Sequence, residues 1–196
     1  MNSPASSGIP TLDLTFAHSW QAEPLAARPL ILPRRHYVYP VEVEEVERGA
    51  LEVLIRPEGA DPFLATCALG FASPAVPTGV WACPNPDVLC AIAGGYAYVL
   101  DTQAPEKWTQ VPFRPVTEVR VIGEPGLLLF ASFHTVLAWG RDGVAWHSRR
   151  LSWEGVRLGA VQEGRLQGWG WDMHTDTELE FSLDLATGEH SGGPRF

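Results

Sequence analysis

The sequence predicts an all-β chain, and three observations carry that expectation. From Leu30 onward the apolar segments are short, and Pro, Gly, Asp or Asn breaks them roughly every 8–12 residues, the rhythm of strands joined by turns. Long helices are not indicated: the best helical stretch, residues 41–55, alternates apolar and acidic residues as a strand does. In the second half, segments resemble one another at a fixed interval.

Taken in order, residues 1–28 are rich in Ser, Ala and Pro, with a weak apolar cluster at Leu12, Leu14, Phe16 and Trp20. They read as a poorly ordered start followed by a docked strand or extended arm. Residues 29–196 read as a single all-β domain. Within it, Val41 and Val43 alternate with Glu42 and Glu44, the phase slips at Glu44-Glu45, and Leu51, Val53 and Ile55 alternate again after Arg48-Gly49. One extra residue reverses which face the side chains take, so this stretch predicts a hairpin whose first strand carries a bulge. Glu42, Glu44, Glu45 and Glu47 then form a solvated acidic face.

Residues 88–196 are the most informative. Laying VLCAIAGGYAYVLDTQAPEKWTQV over LLLFASFHTVLAWGRDGVAWHSRRL matches Leu89 to Leu128 and Leu100 to Trp139, both 39 residues apart. A third copy, LQGWGWDMHTDTELEFSLDLATGEHSGG, keeps the order of strand, turn, strand, polar turn and strand, with extra residues at DMHTDT. The repeats fall near 88–126, 127–164 and 165–196. An interval near forty with about four short strands is the pattern of propeller blades. Through Tyr98-Val-Leu-Asp101, Val136-Leu-Ala-Trp139 and Phe181-Ser-Leu-Asp184 the chain resembles the β-propeller repeat proteins in general. That resemblance implies an architecture and transfers no functional residue. The expected fold is a small propeller-like array of three to four antiparallel blades, with an open curved sheet or a β-sandwich as the alternative. Unsealed sheet edges in either alternative offer a route to a homodimer by strand addition.

The segment WGRDGVAW illustrates the local logic. Asp142-Gly143 is a two-residue hairpin signal, because both central positions of a type I′ turn need positive φ. That register sets Trp139 opposite Trp146 as a cross-strand aromatic pair. Ala93-Gly94-Gly95 is read in the same way, as a tight turn between strands with no helix N-terminus behind it to hold a phosphate.

Charge and cysteine usage narrow the function. With Lys+Arg 14 against Asp+Glu 23, a net of −9, the chain lacks the cationic balance that a nucleic-acid backbone requires. No cationic segment leads an apolar run at the start, and no stretch approaches the ~20 apolar residues of a spanning helix, so a cytoplasmic protein with no membrane partner is expected. Cys67, Cys83 and Cys90 lie in apolar surroundings without a CxxC spacing and read as buried free thiols.

Few residues carry a chemical signal. Asp172, His174 and Asp176 alternate, so in an extended segment they project to one side as a carboxylate, imidazole and carboxylate set for a divalent cation. Trp169 and Trp171 share one face of the strand GWGWD at period two, lining either a core or a groove. The eight tryptophans are best read as filling space between thin β layers. Ser132, His134 and Asp142 are near in sequence but lack a nucleophile elbow, and His134 is read as a strand residue with a satisfied ring. The expectation is a non-enzymatic binding or protein-interaction module without a cofactor, whose acidity selects a partner with a basic surface or a small ligand. The alternative is a carbohydrate- or metal-binding protein or hydrolase using the Asp172/His174/Asp176 loop and the neighbouring Trp169 and Trp171.

Overall fold

The structure is a computed structural model that describes residues 9–40 and 48–196. Among these residues there are seventeen strands and no helix, so none is long and apolar enough to cross a membrane. The strands form four separate sheets, and no sheet closes on itself. The chain divides into two compact units, Met1–Pro115 and Val116–Phe196.

The first unit holds two sheets. Sheet I comprises β1 (Thr11–Asp13), β6 (Gly79–Ala82), β7 (Val88–Ala93), β8 (Tyr96–Asp101) and β9 (Trp108–Gln110), in that spatial order. Sheet II comprises β2 (Trp20–Leu25), β4 (Ala50–Pro57), β5 (Phe63–Ala68) and β3 (His36–Tyr39). Neither is purely antiparallel as expected: β1 runs parallel to β6 and β3 parallel to β5, because each reaches its edge from a long connection and not through a hairpin. Apolar residues alternate toward a shared core that includes Trp20, Tyr39, Val53, Ile55, Phe63, Leu89, Tyr98 and Leu100. The tyrosines bury their rings because their hydroxyls find carbonyls: Tyr39 donates to Pro105 O at 2.7 Å and Tyr98 to Ala68 O at 3.0 Å.

The predicted bulged hairpin at 41–55 has its first strand outside the described residues, as are Glu42, Glu44, Glu45 and Glu47. Its second run, Leu51 to Ile55, is β4, which pairs with β2 on one side and β5 on the other. The β7–β8 turn at Gly94-Gly95 follows its signal, with φ +56° and +77° at the two glycines.

In the second unit, sheet III is an up-and-down meander of β10 (Glu118–Ile122), β11 (Leu127–Ala131), β12 (Val136–Gly140) and β13 (Gly143–His147). Sheet IV is a second meander of β14 (Val156–Gln162), β15 (Arg165–Asp172), β16 (Thr177–Asp184) and β17 (His190–Gly192). Leu129, Ala138, Trp146, Val156, Leu158, Leu166, Phe181 and Leu183 form the core between them. Leu89 faces Leu100 and Leu128 faces Trp139, so the two positions matched in one segment are cross-strand neighbours, and so are their counterparts 39 residues on. Positions 88, 127 and 165, where the three similar segments begin, each open the second strand of a run of four.

The Trp139–Trp146 pairing is corrected. The loop is Arg141-Asp142, closed by Gly140 facing Gly143, and a bulge at Ala138/Trp139 then sets Trp139 opposite Val144 and Trp146 opposite Ala138. Gly143, at φ +117°, takes the conformation that a side chain resists, and Asp142 does not. The shift puts the two indoles on opposite faces. Trp146 enters the core, donates Nε1–H to Leu185 O at 2.8 Å, and lies so close to Gly188 that a Cβ there would meet its ring at 2.7 Å.

Candidate binding face

Sheet IV contains the candidate site because β15 alternates strictly between buried and half-exposed residues. The strand reads RLQGWGWD, with Leu166, Gly168, Gly170 and Asp172 buried and Arg165, Gln167, Trp169 and Trp171 on the open face. The usual order is inverted, with glycines inside and indoles outside. The inversion has a steric cause. A Cβ on Gly168 would lie 2.3 Å from the Phe181 ring, and one on Gly170 would lie 2.0 Å from Leu151 O. Phe181 and the Leu151 segment occupy the space that larger residues would need.

The expectation that the tryptophans fill interior space holds for Trp20, Trp81 and Trp146, which are 2%, 5% and 8% exposed, whereas Trp169 and Trp171, which the strand period left between a core and a groove, lie half-exposed on the open face. Trp169 lies over Gly159, where a Cβ would come within 2.7 Å of its ring. Gly159 sits at a bulge in β14 between Leu158 and Val161. The Arg120 guanidinium holds that bulge from β10, donating to Gly159 O and, at 3.2 Å, to Leu158 O. Glu118 braces it in turn, bonded to Arg120 Nη2 at 2.5 Å and accepting from Leu158 N–H at 3.4 Å.

On the open side of Trp169 lies the Arg157 guanidinium, 4.1 Å from the ring centroid. Arg157 donates from Nη2 to Glu178 at 2.6 Å and from Nε at 3.4 Å, a two-pronged pair that holds the Glu178 carboxyl below its ordinary range. Glu178 faces Trp171 across the β15–β16 ladder, and Glu180 faces Trp169. Beside them an open hollow of about 370 Å³ is lined by Glu154, Gly155, Val156, Arg157, Trp171 and Glu178. At the neighbouring strand end, Trp153 N–H bonds Trp171 O at 3.0 Å, and the Trp153 ring carries Arg150 at 4.5 Å. Phe196 and His174 pack against the Trp153 ring at 5.4 and 5.6 Å.

The structure places Asp172, His174 and Asp176 differently from the extended arrangement. Asp172 ends β15, and Met173–Asp176 form the turn to β16, with Asp176 at φ +53°. The Asp172 carboxylate is engaged locally: it accepts from Thr175 Oγ1 at 2.7 Å and from the backbone N–H groups of Thr175 and His174, which together hold its pKa below the ordinary value against the effect of burial. Among the described residues no group of three or more His, Cys, Asp or Glu is placed to hold a metal ion.

His134 is exposed in the β11–β12 turn and not in a strand, with Nδ1 3.3 Å from Ser152 O. Ser132 is occupied by the same turn, accepting the N–H groups of His134 and Thr135 at 3.2 and 3.0 Å. All three cysteines are free and buried, as read, and burial pushes each thiol well above its ordinary pKa.

One cluster carries no local sequence signal. In sheet II, Thr66 donates to Glu52 at 2.5 Å, His36 Nε2 lies 2.9 Å from the same hydroxyl, and Arg28 reaches Glu52 at 3.9 Å. Its members are scattered over 39 residues and meet only through cross-strand register; period-two alternation marks Glu52 as flanked by core positions but does not name its partners. Thr66 is wholly buried, so the cluster ties three strands together and presents no nucleophile. Protein-family models, curated proteins and solved structures all return no match to the chain.

Proposed function

We propose that the protein is a non-catalytic binding module, built of propeller-like blades, that engages a protein partner through the open face of sheet IV. The observation that carries this reading is the placement of Trp169 and Trp171 on a half-exposed sheet face beside an open hollow. Large aromatics left on a surface, braced from beneath and rimmed by charges, have the composition of an interaction hot spot. The support beneath Trp169 through Gly159 and Arg120 pre-organises the ring, which lowers the entropy lost on binding. The non-catalytic part of the reading is supported by the state of the reactive groups: the Ser132 hydroxyl is tied into a turn, and Thr66 and the thiols are buried. The blade reading is supported by the common phase of the three meanders and by the equivalent cross-strand pairs Leu89–Leu100 and Leu128–Trp139.

The test is capture from the native cell with the wild-type chain and with a Trp169→Ser/Trp171→Ser chain as baits. Thr109→Ser, on the exposed part of β9, serves as a control. A partner retained by wild type and control and lost with the double variant, whose melting temperature stays within a few degrees, is the expected result. Equal recovery on all three baits refutes the assignment of this face.

A further inference from the structure

We infer that Trp171 and the hollow beside it form a receptor for a cationic side chain, a guanidinium or ammonium of a basic protein segment. The inference rests on the proposed binding face and names what that face takes.

Four arginines of the described chain lie on aromatic rings: Arg35 on Tyr37 and Phe63, Arg114 on Tyr96, Arg150 on Trp153 and Phe196, and Arg157 on Trp169, at 4.1–5.9 Å. On sheet IV and its margin, Trp153 and Trp169 each carry such a cation, and Trp171 between them carries none among the described residues. Indole is the strongest of the aromatic cation acceptors, and the hollow lies against this ring.

The charge of the hollow favours the same occupant. Three charged side chains line the hollow: Glu154, Arg157 and Glu178. Arg157 and Glu178 neutralise each other through their two-pronged pair. Glu154 is exposed and has no side-chain partner among the described residues. Glu180, also exposed and unpaired among them, stands two ladder positions away on the same face. The hollow thus offers a ring face and uncompensated negative charge, the combination that Arg157 already finds at Trp169 and Glu178. A neutral sugar stacking on Trp171 would make no use of that charge.

The experiment titrates the full chain, followed by tryptophan fluorescence and indole N–H chemical shifts, with the peptide Ac-Gly-Arg-Gly-Arg-Gly-NH2. Its counterpart with citrulline in place of both arginines is isosteric and uncharged, and maltotetraose is the neutral sugar probe. The expected result is binding of the arginine peptide at least about tenfold tighter than the citrulline peptide, with the Trp171 indole shifted and affinity falling as salt rises. Trp171→Ala should weaken it by ~2–30-fold, Trp171→Phe by less, and Glu154→Gln by ~2–5-fold. Equal affinity for both peptides, or response to maltotetraose alone, overturns the cation assignment while leaving the open face a binding face. Arginine-peptide affinity unchanged in both Trp171→Ala and Trp169→Ala overturns the inference and the binding-face reading together.

Discussion

Gly170→Ala should be among the most damaging small substitutions in the second unit, whereas Trp171→Ala, one residue away and far larger in volume, should be mild. The new Cβ would sit 2.0 Å from Leu151 O, about 1 Å inside the closest approach such atoms make, and 3.0 Å from Leu151 C, and both are backbone atoms that cannot rotate away. Relieving the clash pushes the Leu151–Trp153 segment from β15. That segment is held there by Trp171 N–H to Ser152 Oγ at 2.9 Å and Trp153 N–H to Trp171 O at 3.0 Å. Overpacking costs ~1–3 kcal/mol, and two weakened hydrogen bonds add about 1 kcal/mol each, for a sum of roughly 3–5 kcal/mol. At about 2–4 °C per kcal/mol for a chain of this size, the melting temperature falls by roughly 6–20 °C. Trp171→Ala removes a half-exposed ring and should cost about 1 kcal/mol or less, a fall of at most about 4 °C. Differential scanning calorimetry of the two variants decides the matter. If Trp171→Ala melts as low as Gly170→Ala, the indole is part of the core and the inverted reading of β15 is wrong.

Trp146→Phe keeps a ring over Gly188 but leaves the buried Leu185 carbonyl without its donor at 2.8 Å; the expected loss is ~1–3 kcal/mol, read as a shift of the denaturant midpoint at constant slope. His36 is held below its ordinary 6.5 by burial and then by Arg28, against Glu52. The unfolded chain therefore takes up the proton first, and stability is lost as pH falls through 6.5 toward the folded-state value. His36→Gln should flatten that slope in urea melts between pH 7 and 5, though not abolish it, because burial lowers His147 in the same direction. Cys67, Cys83 and Cys90 should resist Ellman's reagent in the native chain and release three equivalents in guanidinium; prompt native labelling of any one would contradict its burial.

The alternation of apolar and turn residues made the all-β class legible, and Gly94-Gly95 made one turn legible, because each depends on interactions within a few residues. The Asp142-Gly143 register was not legible. A bulge at Ala138/Trp139 decides it, and that bulge answers to where Trp146 can enter the core, opposite Leu185 and Gly188 some forty residues on. The parallel edges β1 and β3 are equally silent, since a parallel neighbour leaves no turn signal. At the candidate site, period two placed Trp169 and Trp171 on one face but could not say which face was buried. The deciding residues are Phe181 and Leu151, distant in sequence, whose approach to Gly168 and Gly170 fills the inner side. The alternation of Asp172, His174 and Asp176 misled because it presumed an extended backbone where the chain turns.

That glycine pattern bears on why sheet IV, among the sheets of its unit, carries the aromatic face. In sheet III, β11 is buried at every position, and its Leu127 and Leu129 enter the core shared with sheet IV. β15 buries only one side, and a strand with one free face ordinarily takes charged or hydroxyl side chains there, as β16 does with Glu178, Glu180, Ser182 and Asp184. Two indoles on that face leave apolar area in water, at about 25 cal/mol per Å². No packing requirement of the strand offsets this, because its glycines already satisfy the core. The Arg120 and Glu118 bonds that set the Gly159 bulge hold Trp169 in one place, a constraint that solvation alone does not require. A partner that covers the rings would supply both the missing burial and a reason for the bracing.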